Sequence, residues 1–317
     1  MERSYNQVIA NTAQMNFEKM QGLYQILVIF NLFQVSLQRK NVLLFIVDDL
    51  RPEIGVYKDS SNQFFEDIHT PNIDRLASKS FVANQAYVQQ ALCSPSRASF
   101  LTSRRPDTTK VYHIGVNYRI VGGNFTSLPQ YFKENGYRTA GFGKVFHHGP
   151  HDYDDLSWTE PFVFPHETRT WKAINFQAER LLKDEVIATS AIDTLTKFAP
   201  DARDGVQPFM MAVGFNKPHL PFACPEEFLD LYPEDGIQLP SNQFAPIGMP
   251  DIAWSNWIEL RNYEDISALG CSGEPNDTLP DDVVLKLRRA YYACVSYTDN
   301  LIGRVMDTLD KEHLMDD

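Results

Sequence analysis

One short segment limits the folds open to this chain more than any other. Residues 41–47 read NVLLFIV and stop against Asp48-Asp49. A continuous apolar run rich in β-branched residues fits a strand buried on both faces, the environment of a parallel sheet. Ligands of open α/β sheets bind beyond the carboxyl ends of the strands, so two acids at that point mark a candidate site. The spacing predicts further strands over 80–88, 138–142 and 208–215. Helical periodicity covers 95–101, 128–135, 179–198 and 281–309, and Thr70-Pro71 opens another helix with Thr70 as its cap. Gly136 closes the helix over 128–135. The aperiodic stretches 147–169 and 239–280 read as a surface loop or lid and as a Pro- and Gly-rich loop. Strands alternating with helices, with no clear linker, indicate one layered α/β domain over 41–317.

Composition narrows the function. The chain of 317 residues is 43% apolar and 22% charged, which argues against disorder. Its net charge of −12 argues against general nucleic-acid binding, and a polyanionic ligand would need a local cluster of Lys, Arg and His. Four cysteines, at 93, 224, 271 and 294, show no zinc spacing. They read as buried thiols or as one disulfide, in which case Cys224 and Cys271 are the expected pair. The apolar run 22–37 is short for a membrane span, so no stable span is expected. It suits a signal-peptide core if translation starts at Met15 or Met20, and otherwise residues 1–40 are an extraneous leader. Two N-x-S/T sequons, at Asn124 and Asn276, agree with secretion.

Four clusters sit past a strand or at a helix start: Asp48-Asp49, Cys93-Ser-Pro-Ser-Arg97, Gly143-Lys144 through His147, and Lys217-Pro-His219. The first, third and fourth are each compatible with solvated turns. The second, C-x-P-S-R, is the least expected by composition. Cys93 and Arg97 lie one helical turn apart and share a face.

These segments resemble the formylglycine-dependent sulfatase family, whose modification signature is C-x-P-S-R. The resemblance runs through NVLLFIVDDLRP (41–52), TPNIDRLA (70–77), QQALCSPSRASFLTSRRPDTT (89–109), LPQYFKENGYRT (128–139), GKVFH (143–147), VGFNKPHLPF (213–222) and YYACVSYTDNLIGRVMDTLD (291–310). It is strongest toward the branch that removes 2-O-sulfate from non-reducing iduronate in heparan and dermatan sulfate. The resemblance implies an alkaline-phosphatase-like sulfatase sandwich with a mostly parallel central sheet. It implies that Cys93 is oxidised to formylglycine by the formylglycine-generating enzyme, in the secretory pathway of a lysosomal or extracellular protein. A hydrated formylglycine carries two hydroxyls, one to attack sulfur and one to expel sulfate, with activation by a metal. Asp48, Asp49 and residue 93 would bind Ca²⁺. Arg97 would hold the hydrated aldehyde, Lys144 and Lys217 would bind sulfate, His147 would support the formylglycine, and His219 would protonate the leaving alcohol.

Two departures stand out. Family members carry further metal ligands in an S-D-H-G segment, which is expected beyond Asp317, so this polypeptide alone is expected to be inactive. Asp316-Asp317 aligns with a loop and not with those ligands. Ser103 stands where the family has Gly; if the position has φ > 0, Ser costs about 1 kcal/mol there. Two other readings remain: a phosphatase or phosphodiesterase of the same fold, which would place Ser or Thr at position 93, and a non-catalytic product that binds sulfated glycans.

Overall fold

The apolar run before Asp48 is a strand. β1 (Val42–Val47), β2 (Arg138–Gly143) and β3 (Phe209–Phe215) form a parallel sheet in the order β1-β3-β2. Val47 is level with Phe215, and Gly143 with Gly214, so all three strands end at one edge. The computed structural model describes residues 19–21, 39–58, 68–147, 155–165, 172–176 and 182–315. The chain divides into Met1–Lys40 and Asn41–Asp317. The signal-like run 22–37 and Asp316-Asp317 lie outside the described residues. Among the described residues no helix is long and apolar enough to cross a membrane.

The main helices are α1 (Pro71–Ala77), α2 (Cys93–Thr102), α3 (Leu128–Glu134), α4 (Lys183–Arg203), α5 (Ile258–Arg261) and α6 (Asp281–Lys311). Alternation along β3 sorts its side chains between two layers. Phe209, Met211, Val213 and Phe215 pack with Ile187, Leu195 and Phe198 of α4 and with Tyr297 and Leu301 of α6. Met210 and Ala212 face the other way, against Leu101 of α2 and Val111, Val145 and Trp158. The sheet is thus covered on both faces by helices, the α/β layering the sequence predicts.

Several expectations need correction. β1 is half-buried along its whole length instead of covered on both faces. It pairs with β3 on one side and has no second strand neighbour among the described residues. Residues 80–88 form no strand: a turn at 84–85 interrupts them and Phe81 and Tyr87 face solvent. No described strand pairs with that segment, and alternation without a partner does not make a sheet. Residues 155–165, read as surface loop, lie along β2; Val163 N–H donates to Gly141 O and Gly143 N–H to Val163 O. Trp158 is buried there against Phe146 and Phe162, while Val163 supplies backbone partners to the β2 edge. The remainder of the expected lid, 148–154 and 166–169, and the start of the expected helix at 179–181 lie outside the described residues. Thr70 does not cap α1 with its side chain. Asp299 of α6 does so from across the fold, accepting from the N–H groups of Asn72 at 3.1 Å and Ile73 at 2.8 Å. All four cysteines are free thiols, and Cys224 contacts Cys294 and not Cys271.

Candidate active site

The three strand ends deliver the site. Asp48 and Asp49 follow β1, Lys144 follows β2, and Asn216-Lys217 follow β3. The Asp48 N–H donates to Phe215 O at 3.2 Å, which fixes the two turns side by side. Asp49 has φ 55°, a left-handed conformation that Asp tolerates better than most residues. Tyr291 of α6 holds that turn: its hydroxyl donates to Asp49 O at 2.9 Å and accepts from the Arg51 N–H at 2.9 Å. Gly214 and Gly143 let the ends of β3 and β2 close up. A Cβ on Gly214 would fall 2.1 Å from Lys144 O, and one on Gly143 would fall 2.2 Å from Gly214 O.

Cys93 is the first residue of α2, where the helix N-terminus carries partial positive charge. Its sulfur lies 3.7 Å from Lys144 Nζ and 4.0 Å from Asp48 Oδ2. Arg97, one turn on, donates to Asp48 Oδ1 at 2.8 Å and to Val145 O at 3.1 Å, and also to Lys144 O. Lys144 Nζ donates to Asp48 Oδ2. Asp48, Arg97 and Lys144 are all buried. Burial pushes the Asp48 carboxyl up, but Arg97 and Lys144 together outweigh it and hold the pKa at about 2. The Cys93 thiol is pushed up, first by burial and then by the two acids, against the pull of Lys144 and Arg97. An unmodified Cys93 therefore stays a neutral thiol, a poor nucleophile.

His219 closes the cluster. Its Nδ1–H donates to Leu220 O at 2.6 Å, which leaves Nε2 facing the acids. Nε2 is 3.6 Å from Asp49 Oδ2, 3.9 Å from Asp48 Oδ2 and 3.5 Å from Glu259 Oε1 on α5. One donor atom each from Asp48, Asp49, Cys93 and His219 lies within 4.8 Å of the others, a group able to hold a metal ion. His147 is half-buried; burial first, then Lys144 and Arg97, lower its pKa to about 4, so it is neutral near pH 7.

Six of the candidate residues, Asp48, Asp49, Cys93, Arg97, Lys144 and His219, are thus linked by direct contacts. His147 feels the same charges. Lys217 differs: its ammonium donates to His219 O at 3.1 Å and Pro221 O at 2.8 Å, so it shapes the loop that carries His219. Three residues escape sequence reasoning. Asp184 of α4 accepts from the N–H groups of Asn216 and Lys217 at 2.9 and 2.7 Å and so anchors that loop. As an acid in the first turn of a helix it reads only as a dipole partner. Tyr291 reads as one of the apolar positions of α6. Glu259 sits in sequence without periodicity and carries no signal.

The fold and this cluster define a class. The sulfatase family's sequence profile matches residues 40–317, and the chain belongs to the sulfatase family. Human iduronate 2-sulfatase is 41% identical over 293 residues, an alignment covering 85% of this chain and 51% of the human one. The chain spans about half the length of that relative. Among solved structures, a putative sulfatase from Bacteroides fragilis superposes with a TM-score of 0.58 at 18% identity, covering 87% of this chain and 60% of the other. A phosphonate monoester hydrolase of Agrobacterium radiobacter gives a TM-score of 0.60 at 19% identity, covering 88% and 61%. The fold is therefore that of alkaline-phosphatase-like sulfatases.

Proposed function

We propose that the protein containing this chain is a sulfuric ester hydrolase that removes 2-O-sulfate from non-reducing iduronate in heparan and dermatan sulfate. The observation that carries the reading is the position of Cys93: first residue of a helix, against Lys144 and Asp48, within the group formed with Asp49 and His219. The similarity to human iduronate 2-sulfatase supports this choice of substrate.

The donor set fits the implied groups. Arg97 and Lys144 carry two positive charges, and Asp48 and Asp49 two negative ones, so the cluster alone holds no surplus to attract an anionic ester. A divalent cation held by Asp48 and Asp49 would supply that surplus, and carboxylate oxygens suit Ca²⁺. The neutral Cys93 thiol is a poor ligand for it, whereas oxygens of a hydrated formylglycine at that position are good ones. When present, these groups supply an activated hydroxyl nucleophile and charge neutralisation. The chain's own residues do the rest. Arg97 and Lys144 fix Asp48, and Lys144, beside residue 93, would neutralise the sulfate oxygens. The α2 N-terminus adds positive potential. His219, its Nδ1–H held by Leu220 O, would pass a proton from Nε2 to the leaving oxygen when both ring nitrogens carry protons. Lys217 and Asp184 position the loop that carries it. Conversion of Cys93 by the formylglycine-generating enzyme would require entry into the secretory pathway, with a lysosomal destination by similarity; the exposed sequon residues Asn124 and Asn276 support that route.

The test is release of inorganic sulfate from a disaccharide with non-reducing iduronate 2-sulfate by the full-length protein. Release that is lost in Cys93→Ala is expected. Cleavage of a phosphate ester in preference to the sulfate would overturn the reading.

A further inference from the structure

Two buried thiols lie outside the site and serve no purpose in it. Cys224 and Cys294 are both fully buried in one core cluster between the loop after β3 and α6, and their thiols interact with each other there. That contact is bracketed on both sides. Before Cys224, Lys217 O accepts from Thr298 Oγ1 at 3.2 Å, and Phe222 meets Tyr291 edge-on with ring centroids 5.7 Å apart. After it, Phe228 packs on Tyr297 at 5.4 Å and the Tyr232 hydroxyl shares a 2.6 Å hydrogen bond with Ser296. The segment is zipped along α6, so the two cysteines cannot drift apart in the folded protein.

We infer that Cys224 and Cys294 form a disulfide when the chain folds in an oxidising compartment, tying the loop that carries Lys217 and His219 to α6. Two S–H bonds break and one S–S bond forms. The two electrons and two protons pass to the disulfide of a thiol–disulfide oxidoreductase, which becomes a dithiol. In the folded chain the Cys224 thiol is pushed far up by its contact with Cys294 and by burial, so thiolate attack is closed off there. The bond therefore forms during folding, before α6 seals the core, and is then shielded from soluble reductants. It complements Asp184: the carboxylate anchors the start of the loop, and the disulfide anchors its end. Closing a loop of about 70 residues also restricts the unfolded chain, so the thermal midpoint should rise by several degrees.

The experiment directs the full-length protein into the secretory pathway of eukaryotic cells with an added signal peptide, so that its result is independent of the chain's own targeting. Free thiols are trapped with N-ethylmaleimide in denaturant, and peptides are mapped without reduction. A peptide joining Cys224 to Cys294, lighter than its two parts by two hydrogens, is expected, and it should persist in Cys271→Ser. Maleimide on both Cys224 and Cys294 in the bulk of the protein, or a link from Cys224 to Cys271, would overturn the inference. Neither outcome depends on turnover of any sulfate ester.

Discussion

At the residue scale the decisive object is one carboxylate held by two cations. Asp48 is buried between Arg97 and Lys144, and breaking such a pair leaves an uncompensated buried charge. Asp48→Asn should therefore destabilise the fold by about 3 kcal/mol, measured by urea denaturation at pH 7. A midpoint unchanged from wild type would mean that Arg97 and Lys144 find other partners. The same residues set the acid response. His147 has its pKa lowered from 6.5 to about 4, so the unfolded chain takes up that proton first. Its contribution to stability is complete above pH 6.5 and drains away as pH falls toward 4. Asp48, lowered from 3.8 to about 2, adds stability above pH 3.8 that is lost as pH falls toward 2. Stability at low ionic strength should decline in these two stages, and His147→Gln should flatten the upper one. Most of these residues are legible in sequence because each follows an abrupt change from apolar to polar at a strand end. Tyr291 and Asp184 are not, since their roles depend on contacts far away along the chain.

At the element scale, local signals work where the local chain supplies the partner. α3 starts at Ser127 with a full capping box to Gln130, and Gly136 turns the chain at φ 80°. α1 fails that rule, because Asp299 takes the role that Thr70 seemed to fill. Asp299→Ala should thus cost about 1 kcal/mol or more, while Thr70→Val, which removes the hydroxyl at similar volume, should cost clearly less, by chemical denaturation. Equal effects would restore Thr70 as the cap. α2 ends at Ser103 with φ 54° and ψ 35°, the left-handed conformation in which glycine is at ease. Ser103→Gly should stabilise the protein by about 1 kcal/mol, read as a raised denaturant midpoint. The strand expected over 80–88 shows the opposite limit: alternation is a local property, but a strand requires a partner that no local pattern reveals.

At the scale of the whole molecule, the parallel order β1-β3-β2 is what turns separate motifs into a site, since it brings three carboxyl ends to one edge. That convergence was legible from the position of each motif after a strand, whereas the half-buried state of β1 depends on the order of the strands. The two glycines at the ends of β2 and β3 keep the edge tight. Gly214→Ala would push its methyl into the Lys144 carbonyl, so it should lower the thermal midpoint and weaken catalysis together. Cys93, a neutral thiol set against Lys144 and Asp48, is the proposed precursor of the nucleophile. The direct test is the mass of the tryptic peptide spanning residues 80–97, cut after Lys79 and Arg97, from protein made in the secretory pathway. An aldehyde-bearing residue at position 93 that reacts with hydrazide reagents and disappears in Cys93→Ser is expected. A segment that carries only intact cysteine, in protein that still releases sulfate from a sulfated iduronate disaccharide, would contradict it.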